Sequence, residues 1–327
     1  MGKKFSKDLS FVLVGIVSIL IFYYPVFARE KYPEKPVQLI VTWAPGGAAD
    51  LGSRVIAEKM TEFLGQPIVS IFKPGGGGTL GTAYAAGLKP DGYNLVLGSD
   101  TGLVIQPVIK KGLTYDLESF TYVGGFMEAP SLFAIKGDAP WKTLSDFVAD
   151  AKKNPKKFKF GVPGVLTTTH VAWEVFSQKA GIETVCIPFL STGELWPALL
   201  GGHIDVAVAT AAGGLSKAGS IRILAVAEKE RLSYLPNVPT LYEFGYPVEL
   251  YAIYSFGAPK GTPKEIIEIL YKAQEKALKK YGNEIKEQLA RVEMSPYINS
   301  GEEYYKIMKE RQKLYFEIGK ALNLIPK

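Results

Sequence analysis

The feature that most constrains the fold is an alternation of strand-like and helix-like segments that begins at Val37. Residues 37–41 are β-prone, helical periodicity follows over 49–64, and further strand-like runs occur at 67–72 and 93–97. A chain with this rhythm predicts a mostly parallel sheet with helices on both faces. The pattern returns later in the chain, with strands expected at 158–162, 184–187, 205–209 and 221–227 and a helix at 169–180.

Two blocks of this kind, followed by amphipathic helical segments at 263–280 and 301–322, predict two lobes rather than one large sheet. Open α/β sheets bind ligands beyond the carboxyl ends of their strands. The loops that follow residues 41, 72, 97 and 162 are therefore where we expect binding groups.

The N-terminus has the order of a secretory signal peptide. Lys3, Lys4 and Lys7 precede an apolar stretch at 9–27, and Val26-Phe27-Ala28 supplies the small residues that a signal peptidase reads. Residues 1–28 are predicted to be removed after Ala28, so we expect the mature protein to lie outside the cytoplasm. The alternative is an uncleaved membrane anchor, because the apolar run is nearly long enough to span a bilayer.

Composition excludes several classes of protein. The formal net charge is +6, and the basic runs at 152–159 and 272–286 indicate solvated helix faces rather than a nucleic-acid surface. Cys186 is the single cysteine, so no intrachain disulfide can form.

His170 and His203 are too few and too far apart for a zinc site, and His170 is expected to be a packing residue near a helix start. Without a nucleophile elbow or a helix-borne histidine pair, we expect no enzyme activity, no metal and no cofactor.

The loop after the first strand is suited to an anion. Gly46 and Gly47 let the backbone turn with its N–H groups exposed, and they lead into a helix whose positive end favours negative charge. Asp50 stands where a helix N-cap is expected. The alternative is a plain turn between strand and helix that binds nothing.

The next glycine loop supports a rival interpretation. It contains Gly76-x-Gly78-x-x-Gly81, and Asp100 follows about 20 residues later, which is the fingerprint of a dinucleotide site. An exported, nucleotide-binding enzyme is therefore an alternative function. The export signal and the additional upstream glycine loop argue against it. Hydroxyls after later strands, at Thr101 and at residues 167–169, could either cap helices or line a cleft.

Taken together, the motifs resemble the periplasmic solute receptors of tripartite tricarboxylate transporters, also called Bug receptors. The resemblance covers nearly all of the mature chain and rests on several short segments in the same order. They include Ala44-Pro45-Gly46-Gly47-x-x-Asp50, Leu64-Gly65-Gln66-Pro67, Lys73-Pro74-Gly75-Gly76-Gly77-Gly78, Pro90-Asp91-Gly92-Tyr93, Leu199-Leu200-Gly201-Gly202 and Pro236-Asn237-Val238-Pro239-Thr240.

The resemblance implies a type II periplasmic-binding-protein fold, in which two α/β lobes, each a mainly parallel sheet flanked by helices, enclose a ligand cleft. Lobe one would comprise residues 29–128 and 252–327, and lobe two residues 129–251, with crossovers near 126–134 and 251–258. The ligand carboxylate would be held by backbone amides of the two glycine loops. The candidate ligand-binding residues are Pro45, Gly46, Gly47, Ala48, Asp50, Gly77, Gly78, Thr79, Asp100, Thr101, Thr167, Thr168, Thr169 and Thr192.

The resemblance also implies the function. A monomeric receptor would capture a mono-, di- or tricarboxylate by lobe closure and deliver it to integral membrane transporter subunits. A receptor that passes the signal to a sensory partner is the remaining alternative. The chain departs from the family pattern at 189–193, where a lysine is lost, and at Ala209, where an acidic residue is usual. Both departures bear on which carboxylate is bound.

Overall fold

A computed structural model describes residues 32–325, so the predicted signal peptide and its cleavage site lie outside the described residues. None of the helices within this range has both the length and the apolar composition that a bilayer crossing requires.

The described residues alternate between strands and helices. The strands are β1 Val37–Val41, β2 Ile68–Phe72, β3 Asn94–Ser99, β4 Phe120–Pro130, β5 Leu132–Lys136, β6 Lys159–Val162, β7 Val185–Pro188, β8 Val206–Ala209, β9 Ile221–Val226, β10 Tyr251–Pro259 and β11 Ser295–Pro296. The helices are α1 Ala48–Leu64, α2 Thr79–Ala86, α3 Gln106–Ile109, α4 Leu144–Lys153, α5 Thr168–Ala180, α6 Thr192–Leu200, α7 Lys264–Arg291 and α8 Gly301–Ala321. A π-helical turn over Thr101–Ile105 leads into α3.

The first sheet has the strand order β11-β4-β10-β3-β1-β2. β1 runs parallel to β2 and β3, as the βαβ rhythm predicts, whereas β10 runs antiparallel to both β3 and β4. The expectation of a mainly parallel sheet therefore holds only for β1, β2 and β3. β10 arrives from the other sheet rather than through a helical crossover, so it is free of the constraint that makes βαβ strands parallel.

The second sheet has the order β7-β6-β8-β5-β9 and, like the first, contains both parallel and antiparallel pairs. β6 is parallel to β7 and β8, while β5 is antiparallel to β8 and β9. Its core contains Trp173, which is fully buried and packs against the rings of Phe133, Phe160 and Phe176.

The two sheets are joined by two adjacent links. Only Ser131 separates β4 of the first sheet from β5 of the second, and its hydroxyl donates to the carbonyl of Leu250 at 2.7 Å. Leu250 immediately precedes β10, which returns the chain to the first sheet. The architecture is thus two lobes with the links side by side. The lobe boundaries at 128/129 and 251/252 stay predictions.

The observed elements extend or add to the predicted ones. α7 continues to Arg291, beyond the predicted end at Lys280, and its backbone departs from helical geometry at Tyr281, where φ is −113° and ψ is 15°. α4 was not predicted, although Thr143 and Asp146 form a capping box at its start.

Candidate functional site

A cavity lies between the lobes and is lined from both of them. The lining residues are Trp43, Gly47, Ala48, Ala49, Thr101, Pro163, Thr167, Thr168, Thr169, Ser191, Thr192, Thr210, Ala252 and Tyr254. Eight of the fourteen lining residues carry a hydroxyl group, and no Lys, Arg, His, Asp or Glu belongs to the set. Any charge on a ligand must therefore be met by dipoles rather than by a formal countercharge.

Three helix N-termini meet at the cavity. α1 has Gly47 as its N-cap, which offers no side-chain acceptor, and α6 has Ser191, whose side chain does not hydrogen-bond to the helix. α5 is capped by Thr167, whose hydroxyl accepts from the amide of His170. Each N-terminus carries partial positive charge and amide donors without helical partners. Because α1 belongs to one lobe and α5 and α6 to the other, partial positive charge from both lobes meets at this one cavity.

Asp50 supports the first glycine loop from behind. Its carboxylate accepts from the Gly46 amide at 2.9 Å and from Arg54 Nε at 2.6 Å, and the side chain is buried. The predicted N-cap role is wrong, because Gly47 is the N-cap and Asp50 is the third residue of α1. It acts as the N3 member of a capping box does, reaching back to a preceding amide.

The first loop touches the opposite lobe directly. The amide of Ala48 donates to Thr192 Oγ1 at 3.1 Å. A Cβ atom added to Gly47 would lie 3.3 Å from the same oxygen, so glycine permits this close approach. The Ala48 amide, which we expect to hold a ligand carboxylate, is thus already bonded to an oxygen acceptor from lobe two.

Asp100 lies beneath the cavity rather than in its wall. Its side chain is fully buried, and Oδ1 accepts from the Thr101 amide at 3.1 Å and from Thr168 Oγ1 at 3.2 Å. Oδ2 accepts from Arg311 Nη1 at 2.9 Å and from the Tyr315 hydroxyl at 2.8 Å. Burial raises the pKa of Asp100, and the Arg311 charge opposes that rise.

This hydrogen-bond network fixes the positions of two threonines at the cavity. Asp100 holds Thr101 and Thr168, whose hydroxyl oxygens are 3.0 Å apart at the cavity and belong to different lobes. Both Asp100 oxygens are used by the protein itself. Asp100 is therefore not available to accept from a ribose hydroxyl, as a dinucleotide site would require.

The second glycine loop contributes to the contact between the lobes. A Cβ atom at Gly77 would lie 2.4 Å from Gln106 Nε2, which donates to the carbonyls of Val165 at 3.0 Å and Leu166 at 3.1 Å. The described cavity lining does not include Gly77, Gly78 or Thr79. The Trp43 ring lies beside this loop, with its Cζ2 atom 3.5 Å from where a Gly78 Cβ would be. A ligand role for this loop stays a prediction.

His170 supports the lobe-two loop and does not line the cavity. Its Nδ1 accepts from the Leu166 amide at 3.1 Å, and its ring stacks on Phe160. Burial lowers the pKa of His170 to about 4, so the ring is neutral at pH 7. Glu174 Oε1 lies 3.6 Å from Nε2. This is the packing role that the sequence predicts.

Half of the predicted candidates reach the cavity. They are Gly47, Ala48, Thr101, Thr167, Thr168, Thr169 and Thr192. The other predicted candidates are not part of the lining: Pro45 and Gly46 are exposed, Asp50 and Asp100 are buried, and the second loop contributes no lining residue. Sequence reasoning missed Trp43, Ala49, Pro163, Ser191, Thr210, Ala252 and Tyr254. Ala49 and Ser191 adjoin predicted residues, and Trp43 and Pro163 lie in loops that the sequence analysis singles out. Tyr254 lies within a linking strand, and burial raises the pKa of its hydroxyl well above the usual value.

Comparisons with known proteins agree with this geometry. The family model described as "Tripartite tricarboxylate transporter family receptor" matches residues 53–324. A protein encoded in the gbd 5' region of Cupriavidus necator is 32% identical over 293 residues, covering 87% of this chain and 86% of that one. The structure of the periplasmic binding protein BugD has a TM-score of 0.85 at 27% identity and covers 90% of this chain and 100% of its own.

A second solved structure carries a ligand. MatC from Rhodopseudomonas palustris, with bound malate, has a TM-score of 0.82 at 25% identity and covers 88% of this chain and 99% of its own. Since the family model matches more than four fifths of the residues, this chain belongs to the family of tripartite tricarboxylate transporter receptors.

Proposed function

We propose that this protein is an extracytoplasmic receptor that captures a small organic carboxylate by lobe closure and delivers it to a membrane transporter of the tripartite tricarboxylate type. The observation that carries the proposal is the meeting of three helix N-termini, from two lobes, at a cavity lined by hydroxyls. Malate bound to MatC, which has the same fold, supports a carboxylate ligand.

The binding energy comes from amides and hydroxyls. A carboxylate at the start of α1 would accept from the Ala48 and Ala49 amides, replacing the Thr192 hydroxyl that now bonds Ala48. Hydrogen bonds to a charged acceptor contribute about 1.5–3 kcal/mol each. Hydroxyls can also bind polar groups elsewhere on the ligand, as donors or as acceptors. A site of this chemistry selects an anion while needing no arginine.

Closure couples binding to delivery. Ligand contacts from Thr168 and Thr192 of lobe two are available only when that lobe lies against lobe one. A ligand stabilises the closed form by the contacts that the open form lacks. The closed form is then the signal that a membrane partner recognises. Binding without chemistry also accounts for a cavity with no charged acid or base in its lining.

The proposal is tested with residues 29–327 in a thermal-shift screen against mono-, di- and tricarboxylates, with NAD and ATP included. An acid at a hundred times its dissociation constant adds about 2.7 kcal/mol of stability and raises the melting temperature by several degrees. Stabilisation by a carboxylate and not by nucleotides supports the receptor. Stabilisation by NAD or ATP alone would overturn it in favour of a nucleotide site.

An experiment in cells distinguishes a role in transport from a role in sensing. Deleting the gene should abolish uptake of the acid identified in the screen if the protein serves a transporter. Unchanged uptake, with loss of a transcriptional response to that acid, would favour the sensory alternative. Fractionation of cells that express the full chain tests the predicted export and removal of residues 1–28.

A further inference from the structure

Glu293 has an unusual backbone conformation for its residue type. It lies between α7 and β11 with φ at +54°, in the left-handed region that glycine adopts most readily. Its side chain is also buried, with 1% of the residue exposed. A strained backbone and a buried carboxylate are both unfavourable alone, so some interaction must compensate for them.

The compensating partners belong to the other lobe. Glu293 Oε2 accepts from the amides of Ala212 at 2.9 Å and Gly213 at 3.0 Å. Glu293 is anchored in lobe one, because β11 begins two residues later and pairs with β4 of the first sheet. Ala212 and Gly213 follow β8 of the second sheet. Consecutive amides of this kind form a concave anion site, which here holds a carboxylate of the same chain.

This contact differs from the other bridges between the lobes. The Ala48–Thr192 and Thr101–Thr168 bonds lie in the cavity wall, where a ligand would exchange them for its own contacts. The Glu293 contact lies outside the described cavity lining, so a ligand leaves it intact. It adjoins the cavity all the same, because Thr210 of the lining stands two residues before Ala212.

We propose that Glu293 is a closure latch, a positioning residue that sets the ratio of closed to open receptor and thereby the affinity for every ligand. The latch rests on the proposed function only in its consequence for affinity. In the closed form the carboxylate has two amide donors, and in the open form it returns to water and the amides lose their acceptor. The bonds therefore favour closure before any ligand arrives, which removes part of the cost of closing from the binding step.

The electrostatic setting is consistent with a latch of limited strength. Burial raises the pKa of Glu293, while the amides of Ala212, Gly213 and Gly214 and the positive charge of Lys217 oppose that rise. The second oxygen, Oε1, is buried and has no hydrogen-bond partner. The bonds to Oε2 thus offset only part of the free-energy cost of burying the carboxylate. Such a contact can hold the lobes together and still release them.

The test measures lobe separation without any ligand. In a Cys186→Ser background, spin labels at Leu80→Cys of lobe one and Leu190→Cys of lobe two report the distance between the lobes, and both residues are exposed enough to be labelled. Pulsed electron resonance then gives the closed and open populations. We expect Glu293→Gly to lower the closed-to-open ratio at least about tenfold, because it removes charge-assisted bonds present only in the closed form.

Glu293→Gly also separates a latch from a merely structural residue, because glycine relieves the left-handed strain. The melting temperature should be maintained while the lobes open. Glu293→Gln keeps the side-chain volume and should open the lobes less, which provides a second variant if the first folds poorly. Lys156→Gly is the matched control: it also relieves a positive φ, of 59°, but on the exposed surface, and should leave the distances unchanged.

Distances that are the same in the parent and in both Glu293 variants would overturn the latch, as would equal opening in the Lys156 control. Because no ligand is used, this result is independent of the carboxylate screen. Unchanged distances together with a carboxylate that stabilises the protein would refute the latch alone. Opened lobes in the variants together with a negative carboxylate screen would refute the receptor function alone.

Discussion

Arg311 Nη1 lies 2.9 Å from Asp100 Oδ2, and this ion pair joins α8, near the end of the chain, to the end of β3 beneath the cavity. Asp100 is fully buried, so Arg311→Met would leave its carboxylate without a countercharge. Breaking a buried pair in this way costs about 3–5 kcal/mol. Urea unfolding followed by circular dichroism measures the loss.

Lys309→Met is the control on the same helix, because Lys309 pairs with Glu118 where both side chains are about 40% exposed. A surface pair contributes less than about 1 kcal/mol. Equal losses in the two variants would show that the buried pair has no special part in the fold. Arg311→Met should also weaken carboxylate binding, since Asp100 positions Thr101 and Thr168.

Ala48→Pro tests whether an amide holds the ligand. Ala48 is the first residue of α1, a position where proline is well tolerated, and Gly47 before it has the extended backbone that proline requires. The variant should fold normally and lose one charge-assisted hydrogen bond, which lowers carboxylate affinity by about tenfold or more. Calorimetric titration with the acid from the screen measures the change. Ala48→Gly retains the amide and should bind nearly as the parent does; a similar loss in both would implicate the side chain instead.

His170 should make stability depend on pH. Its folded pKa of about 4 lies below the ordinary value of 6.5, so the unfolded state binds more protons between these values. Stability is therefore complete above pH 6.5 and is lost as the pH falls towards 4, by about 3 kcal/mol from this group. Unfolding free energies measured from pH 7 to pH 4 should show the decline.

His170→Asn isolates this effect, because the Asn Oδ1 can accept from the Leu166 amide as Nδ1 does. The variant should show a shallower decline over the same pH range. An unchanged slope would assign the acid sensitivity to other groups, such as Glu174 beside the ring.

Gly77→Ala tests the contact between the second glycine loop and lobe two. Gly77 and Gly112 have similar positive φ angles, 70° and 80°, so alanine at either position costs about 1–2 kcal/mol of backbone strain. Only at Gly77 would the new Cβ displace Gln106, 2.4 Å away, from the carbonyls of Val165 and Leu166. We expect Gly77→Ala to cost about 1–2 kcal/mol more than Gly112→Ala in thermal unfolding. Equal costs would mean that Gln106 relocates freely.

The sequence predicted the parallel units of both sheets well. β1 coincides with the predicted strand at 37–41, and α1 differs from the predicted helix by one residue, because local periodicity specifies such elements. The sequence pattern does not predict the bounds of the linking strands β4 and β5. They are buried along nearly their whole length, so they lack the alternation by which a half-buried strand is predicted.

The residues that line the cavity are predicted where the lining depends on local structure and are missed where it depends on long-range contacts. Gly47 and Ala48 follow β1 directly, and a loop of that composition before a helix indicates exposed amides. Asp100 was assigned to the cleft because nothing nearby in sequence reveals Arg311 and Tyr315, which lie 211 and 215 residues away. Tyr254 and Thr210 reach the cavity only through the pairing of strands from distant segments.

The position of β10 also determines the order in which the polypeptide can assemble. It fills the slot between β3 and β4, so the first sheet has a missing middle strand until residues 251–259 are available. A chain that emerges from its N-terminus therefore cannot complete the sheet of its first lobe until its last quarter is available. If the chain is exported as predicted, we expect the late strand to keep the first sheet incomplete until the whole chain has crossed.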